Sequence, residues 1–370
     1  MNNKPLHILV SPLDWGLGHA SRCVPLIHYL LNAGHRVSVA GSGLSLELLQ
    51  KNFSDRVTYY RIPGYHITYN KRKGRFTSRI ISQLPHIRQT IRKENQWLLA
   101  LCRELELDGI ISDNRYGICH PHIPSVILTH QWQILSGIHP WADRVLLRWH
   151  ERQLRRFRQV WIVDRESASR NLAGKMSHPP GNRIQDKVRY IGHLSQIIPR
   201  PGTASGSDEN QVLALLSGPE PARTWLMEAI LRQAERLPQY RFKIISGTSG
   251  FPHTAASHIE IAGMVPAPEV QKAIESAALV ICRSGYSTLM DLLALRAKAL
   301  LIPTPGQTEQ EYLAANLMAQ NICYSRSQYE LDLQQDIPAA FAYAGFTVLD
   351  LPVNQSFRPV LDQWLEDLNP

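Results

Sequence analysis

Long apolar runs are missing from this chain of 370 residues. None approaches the ~20 residues that a helix needs to span a bilayer, so an integral membrane protein is not expected. The first residues, Met1 to Leu6, lack the charged, apolar and small-residue regions of a secretory leader, which makes a cytoplasmic setting the expectation. Cysteine is sparse. Cys23, Cys102, Cys119, Cys282 and Cys323 are scattered, odd in number and never in C-x-x-C spacing, a pattern of reduced thiols and not of a disulfide framework. Cys119-His120-Pro121-His122 is the one local cluster of ligand-type side chains, and a structural zinc wants four ligands. No D-x-D stands in a strand-end loop either, so no metal is expected. Acidic residues are scarce in the first half: residues 1–200 carry 29 Lys and Arg against 13 Asp and Glu, whereas the remainder carries 11 against 18. The basic half should face something anionic.

What is present is alternation. Hydrophobic residues make up 44% and charged residues 19% of a chain too long for one ordinary core, so two domains are expected. Short apolar runs separated by helical patterns are the mark of parallel sheets covered by helices. Strands are expected at Leu6–Val10, Val37–Ala40, Val57–Arg61, Gly109–Ser112, Ser125–Thr129, Val160–Val163 and Val188–Ile191. The stretch "IIPRPGTASGSDEN", Ile197 to Asn210, has no periodicity and reads as a surface linker. Strands resume at Val212–Leu216, Phe242–Ile245, Ile259–Ala262, Leu279–Cys282 and Ala299–Ile302, with helices at Pro268–Ser276, Thr288–Leu295 and Glu309–Gln320. The expectation is an α/β protein of two doubly wound, Rossmann-like domains facing a central cleft. Residues 1–196 form the first domain, 197–210 the linker and 211–345 the second domain. Residues 346–370 form a tail or helix that packs back towards the first domain.

Each half opens with a strand, a glycine-bearing turn and a helix, a natural anion cradle. In "SPLDWGLGHASR" the turn holds Gly16 and Gly18, but Ser21 stands where a dinucleotide fold wants its third glycine. The second strand then runs into Gly41 and Ser42 with no carboxylate to hold a ribose. Nicotinamide and flavin are therefore not expected, and no cofactor is. The turn offers His19 instead, which can accept a proton near neutral pH. The alternative is a histidine that only caps its helix. Asp113, in "ISDNRYG" just after a strand, is a second base, an orienter of His19 or a plain turn residue.

"RSGYSTLMDLLALRAKALLIPTPGQTEQEYLAANL", Arg283 to Leu317, resembles the nucleotide-sugar signature of family 28 GT-B glycosyltransferases, the bacterial type that adds N-acetylglucosamine to a polyprenyl-linked precursor. The resemblance implies that Ser284 and Gly285 form the turn and that Asp291, where the family has glutamate, grips the ribose of UDP. It places Gln310 as the first residue of the family's glutamine pair, Glu311 in place of the second, and Asn316 at the close of the motif. "LLSGPEPAR" resembles the second glycine turn, with Gly218 and Arg223 on the donor side. The G-x-G-H turn, with Gly16, Gly18 and Arg22, would face the acceptor and present His19 as base. Charge on the departing diphosphate would be met by the helix start at Ser287 and Thr288, by the turn at Ser217 and Gly218, and by Arg283.

The function so implied is metal-independent, inverting transfer of a sugar, N-acetylhexosamine among the options, from a UDP-sugar to an acceptor hydroxyl. The acceptor would be a polyprenyl-phosphate-linked or other cell-envelope glycan precursor. Two basic segments with interleaved apolar residues, Tyr69–Ile80 (Lys71, Arg72, Lys73 and Arg75) and Arg144–Arg158, suit an anionic membrane surface, and hence a peripheral position at its inner face. The rivals are a nucleotide-sugar hydrolase or epimerase of the same fold, and a basic membrane- or nucleic-acid-binding protein on a transferase scaffold. No ladder of aromatics for stacking bases is visible, so nucleic acid is not an expected partner.

Overall fold

The apolar runs of the first half become seven parallel strands: β1 (His7–Pro12), β2 (Arg36–Gly41), β3 (Thr58–Arg61), β4 (Gly109–Asp113), β5 (Ser125–Thr129), β6 (Gln159–Ile162) and β7 (Val188–Tyr190). The structure, a computed structural model, describes residues 4–65, 84–136, 139–167, 171–179, 183–198, 208–248, 254–349 and 352–369. The basic segment Tyr69–Ile80 lies outside them. Strands β1, β4 and β5 are buried along their whole length, as parallel strands covered by helices on both faces must be. Their order is β3-β2-β1-β4-β5-β6-β7. Around this sheet run α1 (Leu17–Asn32), α2 (Gly43–Phe53), α3 (Leu84–Glu104) and α4 (Pro140–Leu154).

The second sheet, of order β10-β9-β8-β11-β12-β13, contains β8 (Asp208–Leu215), β9 (Arg241–Ile245), β10 (Ile259–Ala262), β11 (Ala277–Cys282), β12 (Ala299–Leu301) and β13 (Tyr324–Ser325). Its helices are α5 (Ala222–Ala234), α6 (Ala267–Ser276), α7 (Tyr286–Ala294), α8 (Thr308–Ala319) and α9 (Leu333–Phe341). Two details depart from the sequence expectation. Strand β8 starts at Asp208, inside the expected linker, because Asp208 pairs with Ala277 and the ladder slips before Val212 meets Leu279. Strand β13 is an edge strand of two residues, too short to leave a periodic signal.

By packing, the chain divides into two units. One holds the described residues up to Gln196 together with 352–369, and the other holds those from Ile197 to 349. The last helix, α10 (Phe357–Leu368), belongs to the first unit. Its Trp364 is buried edge-on against Trp161, with ring centroids 5.5 Å apart. Gly109 makes this possible, since a Cβ there would lie 2.6 Å from the Trp364 ring.

In both sheets the chain winds outwards from the first strand, returns, and adds the fourth strand on the other side. The order reverses between β1 and β4 and again between β8 and β11. Ligands of open α/β sheets bind at the carboxyl ends of strands at such reversals.

Candidate active site

Strands β1 and β4 are hydrogen-bonded neighbours with Pro12 in register with Asp113, so the turn after β1 and the end of β4 lie side by side. Gly16 caps α1 with φ of 123°, a conformation that L side chains rarely adopt. Nothing lies within 4 Å of where its Cβ would be, so the backbone and not crowding calls for glycine. The helix then starts at Leu17, and His19 and Arg22, three residues apart, share one helix face.

That face meets Asp113. The Asp113 side chain is fully buried, and Arg22 takes it with a two-pronged grip: Nε donates to Oδ2 at 2.7 Å and Nη2 donates to Oδ1. His19 Nδ1 lies 3.1 Å from Asp113 Oδ1 and 2.9 Å from Arg22 Nη2. Arg22 Nη1 reaches His130, just beyond β5, at 3.0 Å from its Nδ1. The Cys23 thiol points at Asp113 Oδ2 from 3.8 Å. Burial alone would raise the Asp113 carboxyl, but the Arg22 guanidinium and His19 outweigh it and hold the carboxyl well below the usual carboxylate range. His19 is lowered, first by burial and then by the Arg22 charge, with Asp113 opposing. The neutral imidazole is thereby favoured at neutral pH, and 17% of its side chain remains exposed, access that a general base needs.

A second buried network braces this cluster from below. Arg115 donates to the Pro12 carbonyl at 2.7 Å, to Glu94 at 2.5 Å and to Ser42 Oγ at 3.2 Å, while Tyr65 donates to the other oxygen of Glu94 at 2.8 Å. Arg115 thus ties the turns after β1, β2 and β4 to helix α3. Neither Arg115 nor His130 is marked by any local sequence signal, because their partners lie 21 to 108 residues away. The Cys119–His122 cluster is folded on itself: His120 Nδ1 accepts the amides of His122 and Ile123, and the Cys119 thiol donates to the Tyr116 carbonyl.

The corresponding edge of the second sheet has different contents. Leu215 pairs with Cys282, so the turns that follow lie together. Gly218 has φ of 99° and Gly247, after β9, has φ of 66°. Gly285 caps α7, whose first turn carries half-buried Ser287 and Thr288, with Asp291 half-buried one turn on. Thr304, following β12, is buried beside Gly218, and its Oγ1 has no hydrogen-bond partner among the described residues.

The charged donor-side residues are placed otherwise than expected. Arg283 is 1% exposed and turns inward, donating to the carbonyls of Ala222, Ile302 and Pro303 and to Gln328 Oε1. Burial lowers its guanidinium to about 10. It fastens the strand ends and is not displayed to an anion. Gln310 Oε1 accepts the Thr304 amide and Glu311 Oε1 accepts the Gly306 amide, both at 2.8 Å, so these side chains brace their own proline-led loop. Ser284 Oγ joins them by donating to the Gln310 carbonyl at 2.8 Å. Arg223 grips Glu220 with Nε and Nη2 and reaches the Gly247 carbonyl with Nη1 at 3.3 Å, holding two of the glycine turns together.

Two further surface features belong to the first unit. A cavity of about 300 Å³ is lined by Trp132, Glu166, His178, Pro179, Gln185 and Tyr190, with the His178 and Tyr190 rings stacked at 4.9 Å. Helix α4 and the turn after it expose Arg144, Arg148, Arg152 and Arg155 together with Trp141 and Val145. No helix among the described residues is long and apolar enough to cross a membrane.

Comparison with known proteins finds matches in both halves of the chain. Residues 223–342 match the glycosyltransferase family 28 C-terminal domain, and residues 7–133 match glycosyl transferase family 1. Two uncharacterized glycosyltransferases from Methanosarcina acetivorans and Methanosarcina mazei are each 24% identical, over 84% of this chain and 83% and 84% of theirs. Among solved structures, the glycotransferase of kitacinnamycin aligns over 99% of this chain and 100% of its own (TM-score 0.67, 14% identity). Acinetobacter baumannii MurG aligns over 97% and 99% (0.59, 14%). The spinosyn rhamnosyltransferase SpnG, in complex with thymidine diphosphate, aligns over 96% and 100% (0.60, 17%).

Proposed function

The chain is a glycosyltransferase of the GT-B type, and from that premise we propose that it moves a sugar from a UDP-sugar to an acceptor hydroxyl, with inversion, using His19 as base. The observation that carries this is the meeting of His19 and Asp113, 94 residues apart in sequence and 3.1 Å apart in space, at the reversal point of the first sheet. The acceptor O–H gives its proton to the imidazole as its oxygen bonds to the anomeric carbon. The bond from that carbon to the diphosphate breaks, and its electron pair leaves with UDP.

On the donor side, Gly218 and Gly285 let the backbone approach the diphosphate, and the start of α7 at Ser287 and Thr288 faces its charge. Asp291 accepts the ribose hydroxyls, a charge-assisted pairing. Arg223, Arg283, Gln310 and Glu311 hold these turns in shape. The spinosyn enzyme binds thymidine diphosphate, a pyrimidine nucleotide like UDP, which supports this class of donor.

For the acceptor, the exposed α4 face of arginines with Trp141 and Val145 supports an anionic lipid surface, and so a polyprenyl-phosphate-linked or similar envelope precursor. The aromatic- and carboxylate-lined cavity beside Trp132 suits a polyhydroxylated ring on that acceptor. A thermal-shift panel tests the donor assignment. A ligand at 100 times its Kd stabilises by ~2.7 kcal/mol. UDP should raise the melting temperature more than TDP, GDP, CMP or NAD. A larger response to TDP would reassign the base, and no response to any pyrimidine diphosphate would overturn the donor site.

A further inference from the structure

We infer that Arg22 is a positioning residue that selects which ring nitrogen of His19 carries the proton. His19 Nδ1 has two neighbours that demand opposite things of it. Asp113 Oδ1, at 3.1 Å, can only accept a hydrogen bond, and Arg22 Nη2, at 2.9 Å, can only donate one. In the neutral ring the two bonds exclude each other. With Nδ1–H directed at Asp113, the lone pair sits on Nε2 and the ring can take a proton from a substrate. With Nδ1 accepting from Arg22, the proton sits on Nε2 and the ring is in the wrong form to act as base there.

Arg22 cannot swing out of this competition. It is 1% exposed, Nε is bonded to Asp113 Oδ2 at 2.7 Å, and Nη1 is held 3.0 Å from His130 Nδ1. The same logic applies at His130, whose Nδ1 can only accept from the guanidinium that it faces. Among the described residues the charged or titratable groups facing His19 are Arg22 on its own helix, Asp113 at the end of β4 and His130 beyond β5. A cation against the ring also makes the imidazolium a stronger acid, so the proton gained from an acceptor is readily surrendered for the next cycle.

The inference rests on the transferase reading only for what the proton is used for, and the site chemistry can be measured without a substrate. Histidine ring nitrogens in the ¹⁵N-labelled full chain can be followed by long-range ¹H–¹⁵N correlation between about pH 5 and 9, with His19→Gln to assign the signals. In the wild type His19 should titrate below the ordinary histidine range. Arg22→Lys keeps a counterion for Asp113 but withdraws the donor from Nδ1, so the neutral ring should hold a larger share of the Nδ1–H form than in the wild type, where Asp113 and Arg22 compete. Arg22→Gln also removes the charge, leaves the Asp113 carboxylate unopposed and should raise the midpoint by about one pH unit or more. Asp113→Asn should do the opposite, lowering the midpoint. An unchanged midpoint and tautomer in folded Arg22→Lys would overturn the inference, whatever Arg22→Gln does. In a turnover assay, Arg22→Gln should move the acid limb of kcat/KM to higher pH. Absence of turnover with every nucleotide sugar, alongside a shifted tautomer, would count against the function and leave the role of Arg22 standing.

Discussion

At the reversal point of the first sheet, the turns after β1 and β4 gather a histidine, an aspartate and an arginine into one buried cluster. At the equivalent point of the second sheet, the turns after β8 and β11 offer glycines, hydroxyls and a helix start. On the proposed reading, the same strand–turn–helix unit serves two jobs that need different physics. Moving a proton requires titratable groups at fixed distances. Holding a diphosphate requires close backbone approach and unobstructed amides, which side chains would block. The two buried arginines sharpen the contrast. Arg22 is neutralised by a carboxylate and sits against a titratable ring, whereas Arg283 is surrounded by carbonyl and amide oxygens and has no carboxylate among its bonded partners. On the proposed reading the first belongs to the chemistry and the second to the scaffold.

The largest effect should come from separating the two jobs. His19→Ala removes an acceptor of the proton in flight, so kcat should fall on the order of 100-fold or more with UDP affinity close to wild type. Asp291→Ala should do the reverse, raising the donor KM and weakening UDP. Loss of UDP binding in His19→Ala would show that the first turn is also a phosphate cradle, and the division would collapse. Next in size is Arg283→Met. It withdraws the donor from the oxygens of Ala222, Ile302, Pro303 and Gln328; at about 1–3 kcal/mol for each buried group left unsatisfied, a urea melt should show a loss of roughly 3 kcal/mol or more. If stability holds and UDP binding is lost instead, Arg283 belongs to the donor site. The smallest effect is expected at the surface: Arg148→Ser should weaken binding to anionic vesicles by about 1 kcal/mol at low salt and by less at high salt. No change would mark the α4 face as merely solvated.

Asp113 shows how far a linear reading reaches. Its position after a strand marks it as a candidate for base, orienter or turn residue, and the fold adds what no neighbouring residue encodes: Arg22 bonds both of its oxygens and His19 lies against one of them. Gln310 and Glu311 teach the converse. Their spacing matches a sugar-contacting pair, and the fold adds that one oxygen of each accepts a backbone amide five or six residues away, a bond that the spacing does not show.

By itself the sequence determined the strands and the glycine turns, because apolar alternation, breaks in it and positive φ are properties of neighbouring residues. Of the thirteen strands among the described residues, twelve lie where the apolar runs put them, and the thirteenth has only two residues. It also determined that His19 opens a helix at the end of a buried strand. Only the tertiary structure decided what those residues touch. That Arg22 faces Asp113 and His130, that Arg115 ties three turns to Glu94, and that Arg283 points inward all depend on contacts across 19 to 108 residues. Such contacts are set by sheet order and helix packing, which bring together segments that carry no mark of one another.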